Sequence, residues 1–292
     1  MKIKSECVPC LIKRIIFETQ LSTEDERLQT NVIKNACSML SKIYDTNKCS
    51  ADIATKVHKM VYEKLGDKDP YYTLKKTSNE VAKSLLPKIK KIIKKSDNPL
   101  KSSMICSIIG NILDFGIEGA SSNPEKFSLD FDKMYSEGLG YDDYNRVENL
   151  IKKSNKVIYF CDNCGEIVFD KIVCRELKRF NPKLKITLVV RGEPIISDAT
   201  IDDAKELKFS DVVQKILTTG CFAIGVNFNE MPFDLKNDLK KTDLIICKGM
   251  ANYEAFSETD YKPIAYLLRT KCSAIANSMK LPINKNIIKL YE

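Results

Sequence analysis

At 292 residues and 43% apolar content, the chain is long enough for two modest domains or one large one around a buried core. No apolar run nears the roughly 20 residues that cross a bilayer, the start MKIKSECVPC lacks a signal peptide's apolar stretch, and eleven cysteines without small-scaffold spacing read as reduced thiols. These features exclude membrane-spanning and secreted classes and lead us to expect a cytoplasmic protein, while a formal charge of +8 leaves nucleic acid, an anionic surface or an anionic small molecule as candidate partners.

Taken in chain order, the stretches 10–21, 24–44, 51–65, 72–95 and 100–116 repeat apolar residues every three or four positions and predict helices. Thr23 or Asp25 is placed to cap the second and Ser50 the third, with Gly66 and Asn98-Pro99 as stops and turns. The densest basic cluster, Lys83, Lys88, Lys90, Lys91, Lys94 and Lys95, interleaves with Leu85, Leu86, Ile89, Ile92 and Ile93 at helical spacing. That pattern is the solvated face of an amphipathic helix. With no Arg-aromatic alternation, zinc-finger spacing or RNA-binding sheet signature, no nucleic-acid partner is expected.

Beyond a polar seam at 138–155 the period changes to strand, loop, helix, repeated. Strands are predicted at 156–160, 185–190, 213–217, 243–247, 263–268 and 286–290, with helices at 166–180, 200–207, 232–240 and 272–279. The expected fold class is α/β: a helical domain over 1–150 packed on an α/β/α domain over 151–292, with helices on both faces of a mostly parallel sheet. The strand order is not legible.

Five of the apolar runs end in polar, reactive residues. KVIYF runs into Cys161-Asp162-Asn163-Cys164-Gly165-Glu166, ITLVV into Arg191-Gly192-Glu193, and KIL into Thr218-Thr219-Gly220; DLIIC runs into Lys248-Gly249-Met250-Ala251-Asn252-Tyr253-Glu254, and IAYLL into Arg269-Thr270-Lys271-Cys272. In parallel sheets ligands sit beyond the carboxyl ends of the strands, so these tails are expected to converge. Asp162, Asn163 and the later Asp198 offer hard oxygen donors suited to Mg²⁺ and usable by Mn²⁺, Co²⁺ or Ni²⁺. The plain alternative is a turn at Asp162-Asn163 and an N-cap at Asp198. Arg191 and Lys248, directly after strands, are the cations expected to face a phosphoryl group in the same crevice; surface salt bridging is the alternative. Asn252, Tyr253 and Glu254 suit the hydroxyls of a leaving group, or else Asn252 caps a helix.

Gly165 before the helix at Glu166 offers free backbone N–H groups, but neither GxxxxGK[ST] nor GxGxxG occurs. Cys7-x-x-Cys10 and Cys161-x-x-Cys164 have metal or redox spacing without a zinc-ribbon arrangement, and read as structural cysteines. His58, the only histidine, falls among apolar helical positions, so a Ser-His-Asp or Cys-His mechanism is discounted. Hydrolytic chemistry would have to lean on carboxylates, lysine and metal.

The order Asp162-Asn163-x-Gly165-Glu166, Arg191-Gly192-x-Pro194-x-x-x-Asp198-Ala199-Thr200-x-x-Asp203-Ala204 and Lys248-Gly249-x-Ala251-Asn252-Tyr253-Glu254 resembles the damage-control phosphatase family, formerly domain of unknown function 89. Cys7-x-x-Cys10 and Lys271-Cys272 look like its cysteine-bearing, largely prokaryotic branch. The resemblance spans nearly the whole chain. It implies a helical domain on a three-layer, Rossmann-like α/β/α domain and a divalent-metal-dependent phosphatase of small phosphorylated, damaged or side-product metabolites. By similarity Asp162, Asn163 and Asp198 would ligate the metal, and Arg191 and Lys248 would contact the phosphoryl group; Glu166, Asn252 and Glu254 are the residues expected to contact substrate. Ser197 stands where family members commonly carry Asn.

The expected reaction is attack of water on a phosphomonoester, with Asp162 and the two cations as catalytic residues. Direct attack by Asp162, as in haloacid dehalogenase phosphatases, is disfavoured because the second Asp those enzymes carry is replaced by Cys164. Two rival readings remain: a metal- or cluster-binding regulatory protein using the cysteines, and a carboxyl methyltransferase, which lacks the glycine-rich loop it would need.

Overall fold

The helices expected from the apolar spacing form, and local chemistry sets their ends. In the computed structural model, which describes residues 1–112 and 124–292, the first part of the chain builds α1 (Cys7–Ser22), α2 (Glu26–Ile43), α3 (Ser50–Leu65), α4 (Tyr72–Ser84), α5 (Leu86–Lys95), α6 (Pro99–Gly110) and α7 (Pro124–Glu137). Asp25 caps α2 by accepting from the Arg27 and Leu28 amides, Gly66 ends α3 in the left-handed region, and Asn98 caps α6 through the Lys101 amide. Ser50 does not cap α3. Cys49 takes that position, and the Ser50 hydroxyl donates to Glu254 Oε2 at 2.6 Å.

One expected helix, 72–95, is two. The break falls at Leu85, because Pro87 in the first turn of α5 lacks an N–H and its ring would clash with the carbonyl four residues back. The expected helix 100–116 is described to Gly110; its last residues, 113–116, lie outside the described residues. Helix α7 was not expected, although Phe127 and Phe131, one turn apart, bury beside Phe169 in an apolar cluster with α5.

The polar seam also hides structure: β1 (Tyr141–Asp142) and α8 (Tyr144–Lys153) lie in it. Then follow β2 (Lys156–Phe160), α9 (Glu166–Phe180), β3 (Lys185–Val190), α10 (Ile201–Glu206), β4 (Lys215–Thr218), α11 (Phe233–Leu239), β5 (Leu244–Lys248), α12 (Gly249–Phe256), β6 (Ile264–Arg269), α13 (Ser273–Met279) and β7 (Asn286–Tyr291). The sheet order is β1-β7-β6-β5-β2-β3-β4, parallel except for the β6-β7 pair.

Alternation along the strands feeds two cores. Val157, Tyr159, Ile186, Leu188, Leu244 and Ile246 pack with α6, α8 and α9 on one face; Ile158, Phe160, Val189, Ile245 and Cys247 pack with α11, α12 and α13 on the other. The fold is therefore a three-layer α/β/α arrangement with a helical cap, and α6 belongs to its packing. The chain runs outward from β2 through β3 to β4, then returns to add β5 and β6 on the opposite side. A switch of direction at β2 and β5 opens a crevice at their carboxyl ends. Among the described residues no helix is long and apolar enough to cross a membrane.

Candidate active site

At that switch point β2 delivers Asp162 and Asn163, β5 delivers Lys248, and the turn after β3 carries Asp198 back to meet the β2 end. Backbone bonds fix this return: the Ala199 amide donates to Asp162 O at 2.8 Å, and the Cys164 amide to Ser197 O at 2.8 Å. Asn163 and Asp198 pair as an isolated bridge. Two carboxylates far apart in sequence, and the amide next to the first, thus share the floor of a cavity of about 500 Å³, whose walls come from α1, α3 and the β6-α13 turn.

Arg191 holds the two acids together. Its Nε donates to Asp198 Oδ2, its Nη2 to Asp162 Oδ1 at 3.2 Å, and its Nη1 to Asn252 Oδ1 at 2.9 Å. Asn252 in turn donates to the carbonyls of Cys161 at 3.0 Å and Lys248 at 2.7 Å, clasping the ends of β2 and β5. Asp162 Oδ2 accepts from Asn163 Nδ2 at 3.0 Å and from Asn111 Nδ2 at 3.2 Å, the latter from the end of α6. Gly249, with φ +69°, must be glycine because a Cβ there would stand 1.7 Å from Asp162 Oδ2.

Lys248 lies one layer deeper. Its ammonium donates to Glu166 Oε2 at 2.8 Å and Asp170 Oδ1 at 3.1 Å, both on α9, and none of the three is exposed. Tyr159 and Ser107 also donate to Asp170 Oδ1. Glu166 Oε1 accepts from the Asn163 amide at 2.9 Å and from Asn111 at 2.8 Å. Lys248 therefore braces the loop that carries Asp162 and Asn163.

Of the residues expected to touch substrate, Glu254 lines the cavity, with its carboxylate held by Ser50. Arg191, Lys248, Glu166 and Asn252 stand behind the described cavity wall, engaged with one another and with the acids. The cations on the wall are instead Lys13, Arg14 and Lys271. The sequence places Lys271 in a strand tail and in the Lys271-Cys272 pair without giving it a role, and neither Asn111 nor Asp170 was expected at the site. Asn111 ends an apolar helix and carries no signal; Asp170 carried one, as an acid one turn after Glu166 behind Ile167, Val168 and Phe169.

Electrostatics favour a cation. Four buried carboxylates (Asp162, Glu166, Asp170 and Asp198) share the network with two buried cations, Arg191 and Lys248, so with every group ionised it would carry two uncompensated negative charges. Burial, then Asp198 and Glu166, push the Asp162 carboxyl well above the usual carboxylate range, against the pull of Arg191 and Lys271. Burial likewise raises Glu166, opposed by Lys248. Burial lowers the Lys248 ammonium, but Asp170 and Glu166 outweigh it and raise it overall.

The donor set also fits a hard divalent ion: two carboxylates and one amide, with no thiol or imidazole on the floor. Among the described residues no three His, Cys, Asp or Glu side chains form a ready ligand group, which is what a site of two acids and an amide entails. The Asn163 carbonyl now accepts from the Ser197 hydroxyl at 2.7 Å. Turning that amide over aims its oxygen to the Asp162 side, and a hydroxyl can partner either orientation.

The chain matches the model of the damage-control phosphatase ARMT1-like domain over residues 3–287. It is 40% identical to a damage-control phosphatase of Archaeoglobus fulgidus over 292 residues, 100% of both chains. A damage-control phosphatase of Pyrococcus horikoshii is 28% identical over 282 residues, 97% of this chain and 96% of that one. The crystal structure of a protein of the family of unknown function 89 from the same organism superposes with a TM-score of 0.88 at 28% identity, covering 100% of each chain. The chain that gathers these acids at its sheet's switch point belongs to the damage-control phosphatase ARMT1-like family.

Proposed function

We propose that this protein is a divalent-metal-dependent phosphatase that hydrolyses small phosphomonoester metabolites, the phosphoryl group binding in the cavity over Asp162, Asn163 and Asp198. The observation that carries this reading is the meeting of two sequence-distant carboxylates, with surplus negative charge, at the bottom of a cleft at the sheet's switch point. Membership of a phosphatase family supports the reaction class.

Asp162, Asn163 and Asp198 would hold the cation, Mg²⁺, Mn²⁺, Co²⁺ or Ni²⁺. When bound, such an ion neutralises the phosphoryl oxygens and makes water a better nucleophile. The chain's own part is preorganisation. Arg191 ties both carboxylates to one guanidinium, Asn252 locks Arg191 to the two strand ends, and Lys248 through Glu166 holds the Asn163 backbone. Lys271 on the cavity wall, close enough to Asp162 to stabilise its charge, supplies positive charge towards the phosphoryl oxygens. Glu254 accepts from the substrate's hydroxyls. With Cys164 where haloacid dehalogenase phosphatases carry their second Asp, water rather than Asp162 is the attacking group.

The test is turnover of sugar phosphates, phosphopantetheine-type compounds and nucleotides against a panel of divalent ions, with and without chelator. Chelation should silence activity and one of the four ions restore it. Asp162→Ala and Asp198→Ala should each lower kcat/KM by at least about a hundredfold, an effect of the size of losing a transition-state charge partner. Both variants should stay folded, since each removes a charge from a surplus and leaves Arg191 the other carboxylate. Full turnover in chelator would remove the metal from the reaction.

A further inference from the structure

Three of the eleven thiols open onto the same cavity as the acidic floor, and the hydrolytic reading uses none of them. Cys7 and Cys10 sit in the first turn of α1, and Cys272 takes the N-cap position of α13, directly after Lys271. All three line the cavity. Cys7 and Cys272 are half-buried and pack against one apolar cluster, whereas Cys10 is exposed. Cys106, Cys161, Cys164, Cys174, Cys221 and Cys247 are buried, Cys49 is half-buried with its thiol donating to the Glu254 carbonyl at 3.5 Å, and Cys37 is exposed on α2, away from the cleft.

Residues three apart on a helix share a face, with Cβ atoms about 5–6 Å apart, and a disulfide needs about 3.5–4.5 Å. The first turn of a helix can close that difference without breaking the helix's own ladder, since the Cys7 and Val8 amides bond the Lys4 and Ser5 carbonyls that precede it. Burial pushes the Cys272 thiol up to about 11, with Glu254 and then Cys7 and Cys10 adding to it; burial raises Cys7, with Glu254 and Cys10 adding.

We propose that Cys7, Cys10 and Cys272 form a site of reversible disulfide modification that gates the cleft, with hydroperoxides as the oxidant. The exposed Cys10 sulfur attacks the peroxide, an S–O bond forms, the O–O bond breaks and an alcohol or water leaves. The neighbouring Cys7 or Cys272 sulfur then attacks the Cys10 sulfur; the S–S bond forms, and hydroxide departs with the thiol proton as water. Two thiols lose two electrons and the peroxide gains them. Either bond narrows the cleft: Cys10 to Cys7 reshapes the wall that α1 contributes, and Cys10 to Cys272 ties that wall to the β6-α13 turn beside Lys271. The chemistry of the thiols stands alone, and only the effect on turnover rests on the phosphatase reading.

The experiment treats the reduced full chain with stoichiometric hydrogen peroxide and follows it by intact mass, non-reducing peptide mapping and turnover of a chromogenic phosphomonoester. The expected result is a loss of two mass units, a Cys10 link to Cys7 or Cys272, and at least a threefold fall in turnover that dithiothreitol reverses. Cys10→Ser should show no such link and should keep its turnover through the same treatment. Absence of any link among the three thiols at a peroxide dose that oxidises Cys37 overturns the site, whether or not the protein is a phosphatase. A mapped link with unchanged turnover overturns the gating, as does a Cys10→Ser protein that remains equally sensitive.

Discussion

Asp162 accepts from three donors, Arg191, Asn163 and Asn111, and each has a second attachment that fixes it in turn. Such an arrangement leaves little room for error around the carboxylate. Gly249→Ala is therefore expected to be severe: a Cβ 1.7 Å from Asp162 Oδ2 cannot be accommodated by a flexible tip, and φ +69° adds about 1 kcal/mol of strain. Activity should fall steeply while Asn252→Gln, one methylene away, is milder; equal turnover of Gly249→Ala and the parent would show that Asp162 is not held against α12. Lys248→Met leaves Glu166 and Asp170 buried without their cation, and should cost about 3–5 kcal/mol by denaturant unfolding. A loss under about 1 kcal/mol would mean that one of the two acids is already neutral and needs no partner.

At the scale of elements, one amide joins three of them. Asn79 on α4 accepts from the Gly165 amide at 2.7 Å and donates to Asp203 Oδ1 at 3.2 Å, and Asp203 completes the capping box of α10 with Thr200. Asn79→Ala strands a buried N–H at the start of α9, so a loss of about 1–3 kcal/mol in urea unfolding is expected; a neutral change would mean that water reaches Gly165. This contact shows why strands and their polar tails were legible in the sequence while the supports were not. The strands β2 and β3 are short β-branched runs and β6 a short apolar one, so their positions follow from composition, as does α9 from its apolar stripe. Asn79, Asn111 and Asp170 matter through partners 86, 51 and 78 residues away, and no local pattern encodes such pairings. The break at Pro87 had a visible cause. By contrast β1, two residues long, exists because β7 pairs with it.

For the whole molecule, surplus buried negative charge makes stability depend on pH and on cations together. The Asp162 carboxyl is raised in the folded state, so its contribution to stability is full below the ordinary carboxylate value of about 4 and is lost as pH rises through the raised value. In chelator the melting temperature should thus carry a falling component as pH climbs from about 4. A divalent ion at about 100 times its Kd adds about 2.7 kcal/mol, and its effect should grow with pH because binding requires the ionised carboxylate. Melting curves in chelator and in Mn²⁺ across that range measure the gap. A gap independent of pH would place the ion elsewhere.

Asp162, Asn163 and Asp198 are proposed to hold one divalent ion. Anomalous diffraction from crystals grown with Mn²⁺ tests that proposal most directly. The expected result is a single strong anomalous peak within coordination distance of one oxygen from each of the three side chains, lost in Asp198→Ala. A peak at the thiols or on the surface, with none between Asp162 and Asp198, would contradict it.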